Sequence, residues 1–253
     1  MTKRIVTAFF FCIIPIIMHS QTSLSVAAAA NLKIPMTELE SAFNSEHPDI
    51  KLTINYGSSG KLTAQILEGA PFDIFLAADT LFPQKIFDAQ AGVGEPVIYA
   101  SGKVVLFTVI KNSISKGLVA LKDKKIKTIS IANPDTAPYG RAALNVIKKY
   151  GIYEDVEKKL VFAESISQVV QQAVTASDVG FIAKSSLFAV DLQKYNVEKT
   201  YWIDIDTSLY EPIDQAMIII KNAKEPEAAG VFYDFILSVK AAEIFRKYGY
   251  DVK

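Results

Sequence analysis

The sequence predicts an α/β fold of two similar lobes, each a mostly parallel sheet flanked by helices. Three observations carry this. Short β-rich runs alternate with amphipathic helical patterns from Leu24 onward, the same alternation starts again after Ser101-Gly102, and no low-complexity linker separates the two sets. Residues 24–28 read as a buried strand, after which Leu32, Met36, Leu39 and Phe43 recur on one helical face. Residues 52–56 read as a strand, 57–60 as a turn, 61–68 as a helix and 74–77 as a third strand. In the second set, 104–110 and 129–132 are strand-like, and 142–149 is a helix that Gly151 stops. Residues 161–162, a helical stretch over 168–175 and an apolar strand at 179–182 complete it. Residues 213–220 are again strand-like, Pro226 opens a helix running to 237, and another covers 241–248. More than one segment is expected to cross between lobes, with 21–100 plus 213–253 forming the first and 101–212 the second.

Half of the 253 residues are hydrophobic, enough for one large core or two modest ones. Lys plus Arg equals Asp plus Glu at 27 each, so the chain lacks the positive field that holds nucleic acid or an anionic membrane. Any anion it binds must be held by local geometry. Lys3 and Arg4, an apolar run over 5–18 and small polar residues from Ser20 have the layout of a secretory signal peptide. It is expected to span 1–20, with cleavage near Ser20 and a mature chain that begins near Gln21. The run is about 14 residues and contains Pro15, whereas a membrane span needs about 20. Cys12 lies inside this segment, and the three phenylalanines before it are unlike the small residues that precede a lipid-attachment cysteine. The mature chain is therefore expected to have no thiol chemistry.

Four strand-to-helix turns offer donors. At Ala29-Ala30-Asn31, the first unpaired N–H groups of a helix point into the crevice above the sheet, the residues are small, and Asn31 can cap the helix or donate from its amide. Taken alone, such a turn reads first as an ordinary helix cap with no ligand. Gly57-Ser58-Ser59-Gly60 supplies hydroxyls, amides and tight curvature on the next strand. Lys61 falls in a first helical turn, where the dipole disfavours a cation, and it is expected to face solvent. The prolines of residues 133–140 stiffen a loop that lifts Tyr139 toward the next helix, although a lone tyrosine there reads first as an interfacial packing residue with its hydroxyl in water. At 163–166, Ser165 is a candidate cap and Ile166 can offer its backbone N–H.

Val26-Ala27-Ala28-Ala29-Ala30-Asn31-Leu32, Tyr56-Gly57-Ser58-Ser59-Gly60-Lys61-Leu62, Gly69-Ala70-Pro71-Phe72-Asp73-Ile74-Phe75 with Ala77-Ala78-Asp79, Asn133-Pro134 with Ala137-Pro138-Tyr139-Gly140, and Ala241-Ala242-Glu243-Ile244-Phe245 with Tyr248-Gly249 occur in that order. As a set they resemble the periplasmic molybdate-binding proteins of ABC transporters, over essentially the whole exported chain. The resemblance implies a type II periplasmic-binding-protein fold with molybdate or tungstate in the cleft and delivery to an inner-membrane ABC transporter permease. It also implies a periplasmic location and a monomer, with no catalysis and no cofactor. Carried over by position, the ligands are Ala30 through its backbone, Asn31, Ser59 with help from Ser58, Tyr139, and the Ile166 backbone. No protein atom would touch the metal itself. The chain departs from some members at Ala183, where they place a tyrosine; Tyr139 resembles the substitute used in another branch.

Neutral donors suit such a ligand, because a dianion with four oxygens and no proton needs donors on every side and no acceptor. Hydrogen phosphate would bring a proton and require one. Sulfate can be rejected only by cavity size and is the alternative ligand. The alternative from another class is a hydrolase built on the Ser-x-x-Lys spacing of Ser58 and Lys61, but the accompanying Ser-Asp-Asn and Lys-Thr-Gly motifs are absent. His47 is the lone histidine after the leader and precedes Pro48, a poor setting for a triad or a histidine metal site. Asp73, Asp79, Glu164 and Asp214 are the carboxylates from which a cation site would have to be drawn.

Overall fold

In the computed structural model, which describes residues 21–252, the expected first strand forms as β1 (Thr22–Ala29) and runs through a single 3-10 turn at Ala30–Leu32 into α1 (Lys33–Glu46). The expected export signal, with Cys12, lies outside the described residues. β2 (Ile50–Gly57), α2 (Ser59–Leu67), β3 (Ile74–Leu76), α3 (Leu81–Asp88) and β4 (Gly92–Gly102) follow. The chain then crosses to a second sheet through β5 (Val104–Phe107), β6 (Ile129–Ala132), α4 (Pro138–Lys149), α5 (Tyr153–Val156), β7 (Leu160–Ala163), α6 (Ile166–Thr175), β8 (Val179–Ala183) and β9 (Trp202–Asp204). It returns through β10 (Ile213–Ile220) and ends in α7 (Pro226–Ile236) and α8 (Val239–Lys247).

The two sheets have orders β2-β1-β3-β10-β4 and β7-β6-β8-β5-β9. Around β1 and around β6 the pairings are parallel, whereas β10 and β5 pair antiparallel with both of their neighbours. In each sheet, therefore, four strands run one way and a single strand opposes them. The reversed strand in each is the one that carries the chain from one sheet to the other.

β1 shows why the first sheet is covered on both faces. Val26 and Ala28 pack with α1, α7 and α8, while Ala27, on the other face, packs with Leu62, Ile66 and Phe82 from α2 and α3. Phe43 of α1 is fully buried, with its ring edge-on to Phe232 at 5.0 Å and to Phe235 at 5.3 Å. Truncating a ring so placed costs about 3–5 kcal/mol. The second core gathers Val104 to Phe107, Ile129, Ile131, Val146, Val169 and Phe181 around the other sheet. Buried carboxylates serve the backbone: Asp73 accepts from the N–H groups of Ser25, Lys224 and Glu225 at 2.7–3.1 Å.

Two boundaries differ from the sequence reading in ways that matter for the site. α4 starts at Pro138, so Tyr139 sits in a helical first turn and not in a loop. Proline is favoured at that position because its missing N–H would have no helical partner there. α2 likewise begins at Ser59, two residues earlier than its apolar pattern indicates.

Candidate functional site between the two sheets

β1 and β2 in one sheet, and β6 and β7 in the other, run parallel to each other and end on the same side of their sheet. Each hands the chain to a helical turn whose first N–H groups lack partners one turn back. The four turns so formed meet. A small cavity, about 10 Å³, is lined by Ala30 and Asn31 after β1, Ser58 and Ser59 after β2, Tyr139 at the start of α4, and Ile166 at the start of α6. All six residues singled out from the sequence therefore face one space, together with Ala29, Gly57, Ala78, Ala137 and Pro138. A larger open groove, lined by Tyr56, Lys61, Gln65, Glu164 and Gln168, adjoins it and shares Gly57 and Ser58. The small cavity is the better candidate, because the donors converge there.

Ser58 precedes α2 with an extended backbone, the usual place of a capping serine, yet its side chain makes no cap bond. The Gly60 N–H that it would ordinarily serve donates instead to the Thr136 carbonyl on the opposite lobe at 2.9 Å. The Ser58 hydroxyl is consequently buried without any partner. Ser59 is different: its oxygen accepts from the Ala78 N–H at 3.0 Å, which leaves its own proton free. Ser165 caps α6 by accepting from the Gln168 N–H at 3.4 Å, so the N–H of Ile166 stays without an intrahelical partner.

Tyr139 is 2% exposed, and its oxygen receives a hydrogen bond from Gln215 Nε2 at 3.2 Å. Burial pushes the phenol well above its ordinary range, with the neighbouring Tyr250 and Tyr99 adding to the shift, so it stays a proton donor. The Asn31 side chain does not cap α1. Its Nδ2 donates to Gln215 Oε1 and to the Tyr250 hydroxyl, both at 2.9 Å, and its Oδ1 is buried without a partner. The amide nitrogen expected to face a ligand is thus turned into the protein, because the carbonyl of Gln215 and the phenol of Tyr250 offer it acceptors there.

Contacts around the cavity hold the lobes together. Ser167 Oγ donates to the Ala30 carbonyl and Ser185 Oγ to the Asn31 carbonyl, both at 3.0 Å. Arg141 of α4 pairs with Asp79 beyond β3, and Lys61 of α2 pairs with Glu164 before α6. Burial raises the Asp79 carboxyl even though the Phe82 N–H and Arg141 both favour its charge. Lys61 is exposed, as expected, and its pair with Glu164 spans the mouth of the cleft. It engages Glu164 and not Ser58, so the Ser-x-x-Lys pair is not assembled as a nucleophile and base. Among the described residues there is no group of three or more His, Cys, Asp or Glu side chains placed to hold a metal ion.

Gln215, Tyr99 and Tyr250 form the layer behind the cavity, and the sequence reading missed them. Their signal was faint. Gln215 is a lone amide on the inward face of an apolar strand, and Tyr250 lies beyond the last helix.

Uncharged donors from two α/β lobes that converge on one small cavity are the arrangement expected of a receptor for a small solute. The chain belongs to the bacterial extracellular solute-binding protein family, whose profile matches residues 24–251. It is similar to the molybdate-binding protein ModA of Rhodobacter capsulatus, with 37% identity over 227 residues that cover 88% of this chain and 86% of the relative. ModA of Azotobacter vinelandii is 35% identical over 233 residues, 91% of this chain and 90% of its own. The solved Azotobacter vinelandii periplasmic molybdate-binding protein superimposes with a TM-score of 0.83 at 29% identity, covering 91% of this chain and 99% of that one.

Proposed function

We propose that this chain captures molybdate, and tungstate with it, in the cavity between its lobes and delivers the anion to an ABC transporter permease. On this reading it works as a monomer on the outer side of the membrane, in the periplasm, after loss of residues 1–20. The lobes that close on the anion are 21–100 with 213–253, and 101–212, with one crossing near Gly102. It performs no chemistry on the anion. The ligating groups are the backbone N–H groups of Ala30, Asn31 and Ile166 and the hydroxyls of Ser58, Ser59 and Tyr139, with Asn31 acting through its main chain. The observation that carries the reading is the convergence of these neutral donors, with no cationic or carboxylate side chain lining the same cavity.

A tetrahedral dianion accepts hydrogen bonds on every side, and each charge-assisted bond contributes about 1.5–3 kcal/mol net. Five or six such bonds support sub-micromolar affinity after lobe ordering and desolvation are subtracted. A thermal-shift panel of molybdate, tungstate, sulfate and phosphate on the mature protein tests this. Molybdate and tungstate at about 100 times the dissociation constant should add about 2.7 kcal/mol of stability, with phosphate without effect. Equal stabilisation by phosphate would overturn the assignment of the site to an unprotonated dianion such as molybdate.

A further inference from the structure

The wall behind the cavity is a chain of uncharged hydrogen bonds centred on Gln215, whose side chain is fully buried in β10. Its Oε1 accepts from Asn31 Nδ2 at 2.9 Å and lies 3.1 Å from the Tyr99 hydroxyl, and its Nε2 donates to the Tyr139 hydroxyl at 3.2 Å. Tyr99 also reaches the Ala77 carbonyl at 2.9 Å. A phenol has one proton. Because the Tyr139 oxygen already receives the Gln215 proton, its own proton is left for the Tyr250 hydroxyl beside it or for the cavity that Tyr139 lines, where a bound anion is the stronger acceptor. Turning the Gln215 amide over would set its Oε1 against Tyr139, drawing that proton away from the cavity, and its Nε2 against Asn31 Nδ2, donor on donor. The reverse arrangement therefore requires Asn31 and Tyr250 to turn as well.

We infer that Gln215 is a positioning residue that fixes the polarity of the Tyr139 hydroxyl, so that this residue presents a proton and not a lone pair to the bound anion. The inference rests on the cavity being an oxyanion site. Gly102 shows how closely the pair is fitted: a Cβ there would overlap the Tyr139 oxygen and lie 2.6 Å from Gln215 Nε2. Only a residue without a side chain lets the two groups meet at this crossing.

Calorimetric titration with molybdate of the mature wild type, Gln215→Glu, Gln215→Met, Tyr139→Phe and the two double variants tests it. The titratable groups facing Gln215 are Tyr99 from β4, Tyr139 from α4 and Tyr250 after α8, all pushed up by burial and all protonated near neutrality. Asp79, whose charge reaches Tyr99, is common to every variant. The carboxyl that Gln215→Glu introduces is thus the added titrating group. Its burial raises its pKa toward neutrality. Ionised, it can only accept and takes the Tyr139 proton; protonated, it carries one donor beside an acceptor, enough to donate to Tyr139 and accept from Asn31 as the amide does.

Gln215→Glu should lose more than about tenfold in affinity near pH 8 and recover toward wild type near pH 5.5, with the wild type changing much less. Gln215→Met should weaken binding about five- to tenfold with Tyr139 present and less than about twofold with Phe in its place. Equal losses in both backgrounds would overturn the inference, because Gln215 would then act through charge or packing and not through Tyr139. So would a Tyr139→Phe variant that binds as tightly as wild type. A wild type that does not bind molybdate overturns the functional reading itself, a result distinct from additive losses in a wild type that does bind.

Discussion

The two adjacent serines should answer to the same substitution with opposite signs in the ligand-free protein. The Ser58 hydroxyl is buried and makes no hydrogen bond, a state that costs about 1–3 kcal/mol of lost hydration. Ser58→Ala removes that cost, loses no cap bond and leaves a hole of one oxygen, so the ligand-free protein should be unchanged or up to about 1 kcal/mol more stable. For a chain of this size 1 kcal/mol is about 2–4 °C in melting temperature. With the anion bound, the same hydroxyl becomes a charge-assisted donor, and its loss should weaken binding by about 1.5–3 kcal/mol, roughly ten- to a hundredfold. Ser59→Ala strands the Ala78 N–H that now donates to Ser59 Oγ, so it should cost about 1–2 kcal/mol without ligand and weaken binding as well. Scanning calorimetry of the ligand-free variants and titration with molybdate read both quantities. A Ser58→Ala variant that lowers the ligand-free melting temperature as much as Ser59→Ala does, or that binds molybdate with unchanged affinity, would refute this role for the Ser58 hydroxyl.

Gly102→Ala should cost about 1–3 kcal/mol of stability and most of the affinity, because its Cβ would overlap the Tyr139 oxygen; Tyr139→Phe should partly restore stability but not binding, as melting curves of the single and double variants will show. Burial raises the folded-state pKa of Asp79, so this group binds more protons folded than unfolded, and its contribution to stability falls as pH rises from the usual carboxylate range through the raised value. Asp79→Asn should flatten that part of the profile, measured as melting temperature across the acid range, and should weaken closure onto the ligand by about 1 kcal/mol through loss of the Arg141 pair, whose guanidinium is partly exposed. A profile identical to wild type would remove Asp79 as its source.

What the sequence reveals here depends on how local each signal is. β1, β6 and β10 are apolar runs with clear ends, and Leu32, Met36, Leu39 and Phe43 mark the inward side of α1 by spacing alone. β4 escapes such reading because Gly92, Gly94 and Pro96 look like loop residues; an edge strand tolerates them, since one side of it has no partner. β9 is three residues long and carries no period. The four donor turns are legible because each joins a strand end to a helix start. The Asn31 amide was not, because its direction is set by Gln215 and Tyr250, 184 and 219 residues away along the chain. Pairings of Arg141 with Asp79 and of Lys61 with Glu164 are hidden for the same reason: charged residues carry no periodicity that names their partners.

The place of β10 in the first sheet bears on the order in which the molecule can assemble. It lies between β3 and β4, so β4 has no neighbour to pair with until residues 213–220 exist, whereas every strand of the second sheet falls within 104–204. A chain emerging from its N-terminus can complete the second lobe first, while the apolar residues of β1, β3 and α1 wait for the closing segment of the polypeptide. The half of the protein that begins the sequence is therefore the half that cannot be completed until the sequence has nearly ended.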